Sequence, residues 1–342
     1  MKPSTASSNT WNDDELFKPK IGVIGVGGGG NNTVQRISSM DVKGAALFAF
    51  NTDGKQLSML APNISKLMLG RDLTRGLGAG GFPDIGAKAA ELSRGNVDQL
   101  LNGLNLIFLT AGMGGGTGTG AAPVVAAIAK EAGATVVGIV TIPFALERVR
   151  LETARKGIAK LRENVDTLII IDNQKLVSLY PNLPIEQTFQ LADEITAKAV
   201  RGITETITQP SMINLDFADI RNIMKTGGVS MISVGYGQGP DRVNEVVRST
   251  LNNKLLDVDY RNAKGALLHI TGGPDLTLGD ANKIGSMLTE TVAADASVTW
   301  GARLDMGYTG KVEVIGIFTG VSGSSVIAPE KKEDIGLGLG II

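Results

Sequence analysis

Three stretches of the 342-residue sequence hold residue types that could do chemistry. Gly25-Val-Gly-Gly-Gly-Gly30 and Gly112-Met-Gly-Gly-Gly-Thr-Gly-Thr-Gly120 are dense in glycine, and Asn214-Leu-Asp216-Phe-Ala-Asp219 carries two carboxylates three residues apart. A glycine has no Cβ, so its backbone N–H can approach a phosphate oxygen closely. The first loop fits G-x-G-x-x-G. Asp53, at the end of the next apolar run, stands where a dinucleotide fold puts its ribose-binding acid. Alone, this loop points to NAD. The second loop, with Thr117 and Thr119 as hydroxyl donors, redirects the reading. Two phosphate-cradling loops on neighbouring strands suit a triphosphate. No G-x-x-x-x-G-K-[ST] is present, so backbone amides must carry most of the phosphate charge. Asp216 and Asp219 would share a helical face. Their spacing by itself reads as helix capping, with Asn214 or Asp216 as cap and Asp219 as first-turn acid.

Bulk composition narrows the field. Lys+Arg 33 against Asp+Glu 34 gives no basic excess, so neither nucleic acid nor an anionic membrane is an expected partner. With no cysteine there is no thiolate nucleophile or metal site, and His269 is the only histidine. Multi-histidine metal sites are excluded, no metal-ligand set is assigned, and His269 in GALLHITG reads as a packed strand residue. No apolar run reaches the roughly 20 residues of a bilayer span, and the polar N-terminus lacks a signal-peptide core. The chain is expected to be cytoplasmic. Gly 45 is a high share, clustered at the ends of apolar runs where tight turns and close approaches fall.

The elements that must position these loops alternate β-α-β-α from Lys20. Near-continuous apolar strands (Lys20–Val26, Ala46–Asn51, Leu104–Ala111, TVVGIVTIP, TLIIID) with helices between them predict a parallel sheet covered on both faces. Ile185, Phe189, Ala192, Ile195, Ala199, Ile203 and Ile207 recur at helical steps, predicting a long helix with one buried stripe that Pro210 ends. Strands VSMISVGY, GALLHITG, SVTWGARL and KVEVIGIFTG, with two helices, form a smaller mixed α/β C-terminal domain. The expected division is a flexible arm 1–19, a nucleotide-binding domain 20–184, a connector helix 185–209, a second domain 210–321 and a tail 322–342 with an apolar end.

GMGGGTGTG resembles the tubulin-superfamily signature, and Lys20–Val321 as a whole is similar to the FtsZ family. Asn51-Thr-Asp53, Gly76-Leu-Gly-Ala-Gly80, Pro143-Phe through Glu147 and Asn214–Ile220 match in order. The IDN, YPNLP and TITQPS stretches resemble an archaeal member.

The resemblance implies a tubulin/FtsZ-like, Rossmann-like GTPase domain that binds GTP and GDP, with Mg2+ accompanying the triphosphate. It implies a first phosphate loop of Gly28, Gly29, Gly30, Asn31 and Asn32, with Asn51 and Asp53 beside it. Gly78, Ala79 and Gly80 would lie near the terminal phosphate, and Gly114, Gly115, Gly116, Thr117 and Gly118 on the other side. Glu147 matches the family's ribose-contacting acid, with Arg150 as its basic counterpart and Arg148 as competitor. Guanine offers N1–H and N2 amine donors that one carboxylate can accept together, and adenine offers no such pair. By similarity Asp193 takes this role, with Asn173 reading the base. Asp216, Asp219 and Asn214 would enter the pocket of the next subunit and polarise the attacking water, so the chain would assemble head-to-tail with itself at a mid-cell division ring. The apolar end Ile335–Ile342 is a candidate contact for a membrane-tethering adaptor, without direct membrane insertion. An NAD-dependent oxidoreductase and a non-hydrolysing filament relative are the alternatives.

Overall fold

The computed structural model describes residues 19–208, 212–213, 216–225, 228–252, 255, 258–261, 263–290 and 292–321. The N-terminal arm to residue 18, Pro210, Asn214 and the apolar end Ile335–Ile342 lie outside them.

One ten-stranded sheet runs through the molecule. Its strands are β1 (Ile21–Val26), β2 (Ala45–Asn51), β3 (Ser65–Met68), β4 (Leu106–Gly112), β5 (Thr135–Ile142), β6 (Thr167–Asp172), β7 (Val229–Gln238), β8 (Gly265–Gly272), β9 (Ser297–Leu304) and β10 (Lys311–Thr319). Their spatial order is β3-β2-β1-β4-β5-β6-β7-β10-β8-β9. All pairs from β3 to β7 are parallel, and β10 runs antiparallel between β7 and β8. The sheet that the sequence divides between two domains is therefore continuous. The join is narrow: β6 meets β7 only at Leu168↔Val229 and Ile169↔Ser230.

Burial of both faces explains the apolar runs. Along β1, Ile24 and Val26 face one core layer and Ile21 and Val23 the other, the period-2 alternation of a strand. The helices are α1 (Gly27–Ser39), α2 (Gly54–Ser58), α3 (Arg71–Thr74), α4 (Pro83–Leu92), α5 (Arg94–Leu101), α6 (Thr117–Glu131), α7 (Arg148–Glu163), α8 (Asn173–Leu179), α9 (Ile185–Thr208), α10 (Phe217–Lys225), α11 (Arg242–Asn252) and α12 (Leu278–Thr289). Buried residues of α4 to α7, α11 and α12 fill the first layer; those of α1, α2 and α8 to α10 fill the second.

The long helix α9 packs on α1 at one end and on β8 and β9 further along. Its predicted stripe is buried at Ala192, Ile195, Ala199 and Ile203. Phe189 departs from it and is 44% exposed, because the first turns of α9 overhang an open cavity instead of the sheet. Towards the other end, buried Glu205 pairs with Arg201 at 3.1 Å and with Arg303 on β9. A polar clasp thus ties the helix to the second half of the sheet.

Candidate functional site

Both glycine loops open helices whose first turns lack a side-chain cap. Helix α1 starts at Gly27 and α6 at Thr117, immediately after β1 and the β4 loop. The unpaired amides and the dipole of each helix favour an anion there. The loops also touch each other. Gly27 has φ +73°, and a Cβ on it would stand 2.7 Å from the Gly118 amide nitrogen. Part of the glycine content therefore serves loop-on-loop packing, one of the close backbone approaches expected at the ends of the apolar runs. Gly115 differs, since a Cβ there would meet nothing within 4 Å.

Between the two helix starts and the first turns of α9 lies a cavity of about 870 Å³. Gly28, Gly29 and Asn32 line it from α1, Asn51 from the end of β2, and Asp53 and Gly78 from the adjoining loops. Gly115, Gly116, Thr117 and Gly118 line it from the second glycine loop, and Glu147, Arg150, Asn173 and Asp193 complete the set. Five other candidates are not in the wall. Gly30 backs onto the Thr110 carbonyl, Gly114 (φ +96°) onto the Arg150 carbonyl, and Ala79 onto Gly116. Gly80 has φ +59° in the turn before α4. Asn31 is buried and clamps the loop: its amide nitrogen donates to the carbonyls of Gly25 (2.8 Å) and Gly27 (3.3 Å), and its oxygen accepts from Asn51 Nδ2 (3.0 Å).

The hydroxyls divide as well. Thr117 lines the wall, and its Oγ1 is 2.6 Å from Thr52 Oγ1. Thr119 turns inward, where its Oγ1 accepts from the Gly114 amide at 2.8 Å. It therefore shapes the loop, in place of the donor role its position in the sequence suggests. Asp53 accepts from the Gln56 amide at 3.0 Å and caps α2. Glu147 accepts from the Phe144 amide at 3.2 Å and pairs with Arg150. Arg150 lines the cavity and Arg148 does not.

At the α9 side the groups could read a base. Asn173 is 5% exposed, and its Oδ1 is buried without a hydrogen-bond partner. A buried acceptor of that kind is costly unless a ligand donates to it. Asp193 accepts from Thr33 Oγ1 at 2.6 Å. Burial pushes its carboxyl up to about 6, while the Thr33 hydrogen bond and the charge of Arg36 act the other way. Phe189 offers an open ring, held edge-on by Phe144 at 5.2 Å between centroids.

Sequence reasoning missed Gln35, Arg36, Ser39, Glu186, Phe189 and Gln190, all of which line the cavity. A signal existed. Asn32, Gln35, Arg36 and Ser39 form one polar face of α1, and Glu186, Phe189, Gln190 and Asp193 one face of α9, each at three- and four-residue steps.

Asp216 and Asp219 are exposed and not in the cavity wall. Asp216 Oδ1 accepts from the Ala218 amide at 3.0 Å, so it caps α10, and Asp219 sits in that helix's first turn. Among the described residues no group of three His, Cys, Asp or Glu could hold a metal ion, and no helix is long and apolar enough to cross a membrane.

Comparison with known proteins places this geometry. Residues 20–181 match the Tubulin/FtsZ family GTPase domain and residues 228–322 the FtsZ family C-terminal domain. The chain is 52% identical to cell division protein FtsZ 2 of Methanocaldococcus jannaschii over 332 residues, 96% of this chain and 87% of that protein. It is 50% identical to cell division protein FtsZ 2 of Haloferax volcanii over 329 residues, 96% of this chain and 82% of that protein. A solved structure of an empty FtsZ dimer from M. jannaschii superposes with a TM-score of 0.85 at 42% identity, covering 90% of this chain and 92% of that one. These matches leave no room for the oxidoreductase alternative. The chain belongs to the FtsZ family, the cell-division GTPases of the tubulin superfamily.

Proposed function

We propose that the cavity binds GTP and that hydrolysis is completed between subunits stacked head-to-tail. The observation that carries the reading is the meeting of two uncapped helix starts with a buried, partnerless Asn173 Oδ1 and the Asp193 carboxylate around one cavity. The amides of α1 and α6 suit phosphates. Asp193 and Asn173 are acceptors and guanine presents donors on the matching edge. The exposed Phe189 ring gives the base a flat partner. The Glu147–Arg150 pair is left for the ribose.

Mg2+ would take its ligands from phosphate oxygens and water, since the described residues supply no acidic cage for it. The ion would offset phosphate charge when bound.

Asp216 and Asp219 supply the part that the cavity lacks. Carboxylates held permanently against the terminal phosphate would repel it. Carboxylates brought by a neighbour arrive only on assembly, where they can orient a water molecule. Both are exposed at the start of α10, free to meet another copy. An unlike-surface contact of this kind repeats without closing and builds filaments, the material of a division ring. A membrane-tethering adaptor on the C-terminal tail belongs to the same proposal.

The test is GTP hydrolysis as a function of protein concentration. Activity per molecule should rise steeply as filaments form, with GDP as product. A specific activity that stays flat down to high dilution would count against the shared site, and no phosphate release at any concentration would favour the non-hydrolysing alternative.

A further inference from the structure

We propose that Thr33 is a positioning residue for guanine recognition, holding the Asp193 carboxylate in place and in its ionised form. The inference rests on the reading of Asp193 as the base-recognising acid and extends it. Thr33 lies nearly two turns into α1, the helix that opens from the first phosphate loop, and its side chain is buried. Its Oγ1 is 2.6 Å from Asp193 Oδ1 and 3.3 Å from the Gly29 carbonyl. A hydroxyl has one proton, and the shorter contact to a charged acceptor takes most of it.

The need for this bond follows from the surroundings of Asp193. To accept from guanine N1–H and N2 together the carboxylate must be ionised, yet burial works against ionisation. The charged groups around the cavity are Arg36 on α1, Asp53 before α2, the Glu147–Arg150 pair at the start of α7, and Glu186 on α9. Of these, Arg36 acts on Asp193 in favour of its charge. Thr33 is the group that bonds it directly. The bond leaves Asp193 Oδ2, and the free side of Oδ1, for the base. It also links the base-reading helix α9 to the phosphate-loop helix α1 across 160 residues of sequence.

The experiment measures equilibrium binding of GTP and ITP from about pH 5 to 8. ITP differs by lacking the N2 amine, and phosphate ionisation, common to both, cancels in their affinity ratio. The wild-type ratio should favour GTP at neutral pH and fall as Asp193 takes up its proton below about pH 6, the value of the carboxyl in the free site. Thr33→Val keeps the shape and removes the hydroxyl. It should move the midpoint of that fall up by about one pH unit and lower the GTP preference about fivefold at the wild-type midpoint. Thr33→Ser should restore both. Asp193→Asn separates the two levels of the argument. If it loses the preference while Thr33→Val keeps both preference and midpoint, Thr33 has no positioning role and Asp193 still reads the base. If Thr33→Val weakens GTP and ITP equally without moving the midpoint, Thr33 is a packing residue and the proposal fails. If Asp193→Asn leaves the preference unchanged, the base reading fails and this inference with it.

Discussion

Gly202 lies flat against the imidazole of His269. A Cβ on that glycine would stand 2.6 Å from ring carbon Cδ2. The contact joins the connector helix α9 to β8 through a glycine that helix propensity alone would disfavour. The ring is 4% exposed, and its Nε2 is 3.0 Å from Thr271 Oγ1. Gly202→Ala should therefore destabilise the protein by about 1–2 kcal/mol, even after the gain in helix propensity. A chemical denaturation curve with a lower midpoint and unchanged slope would show it. A variant as stable as wild type would mean that the helix and strand can part without cost.

The same burial makes His269 a source of pH dependence. Burial and the charge of Arg201 hold its imidazole down to about 4, below the ordinary value of 6.5. The unfolded chain therefore binds a proton that the folded chain refuses. Stability from this group is complete above about pH 6.5 and is lost as pH falls towards 4, by about 3 kcal/mol in total. His269→Gln should flatten that part of the stability–pH curve. Equal slopes for the two proteins would contradict the assignment.

The two classes of glycine in the loops should respond differently. Gly27→Ala forces a side chain into a left-handed backbone and against Gly118, so unfolding midpoint and nucleotide affinity should both fall. Gly115→Ala meets nothing in the protein. It should leave the stability within about 0.5 kcal/mol of wild type and weaken GTP binding, because its methyl occupies the phosphate approach. Thermal melts with and without nucleotide distinguish the two.

Phe189→Ala removes an open ring from the cavity. The loss of its edge contact with Phe144 should cost no more than about 1.5 kcal/mol of stability. The loss of a stacking partner should weaken GTP binding about tenfold. Isothermal titration checks the second effect, and undiminished affinity would place the base elsewhere.

A shared hydrolytic site predicts complementation. Asp216→Ala should bind GTP normally and hydrolyse almost none. Gly115→Ala should bind poorly while still presenting its acids. In an equal mixture, about a quarter of random head-to-tail contacts pair a sound pocket with sound acids. Hydrolysis should recover to about that fraction of wild type. A mixture as inactive as its components would mean that pocket and acids are not shared between neighbouring subunits.

The alternation of apolar runs and glycine loops already dictated a covered parallel sheet with glycine loops at its strand ends. That Gly115 and Thr117 stand in a strand-to-helix loop was legible because local sequence decides where a strand stops and a helix starts, whereas Asp193 was expected at the cavity only from the family resemblance. Depth was not legible. That Gly30, Gly114 and Thr119 turn into the protein while Gly28, Gly115 and Thr117 turn out depends on loops distant in sequence packing backbone on backbone. The exposure of Phe189 has the same origin, since a periodic stripe says which side of a helix is apolar but not where its partner surface ends. Only the tertiary structure brought Thr33 to Asp193 and Gly202 to His269, because hydrogen bonds and steric contacts between distant segments leave no period in the chain.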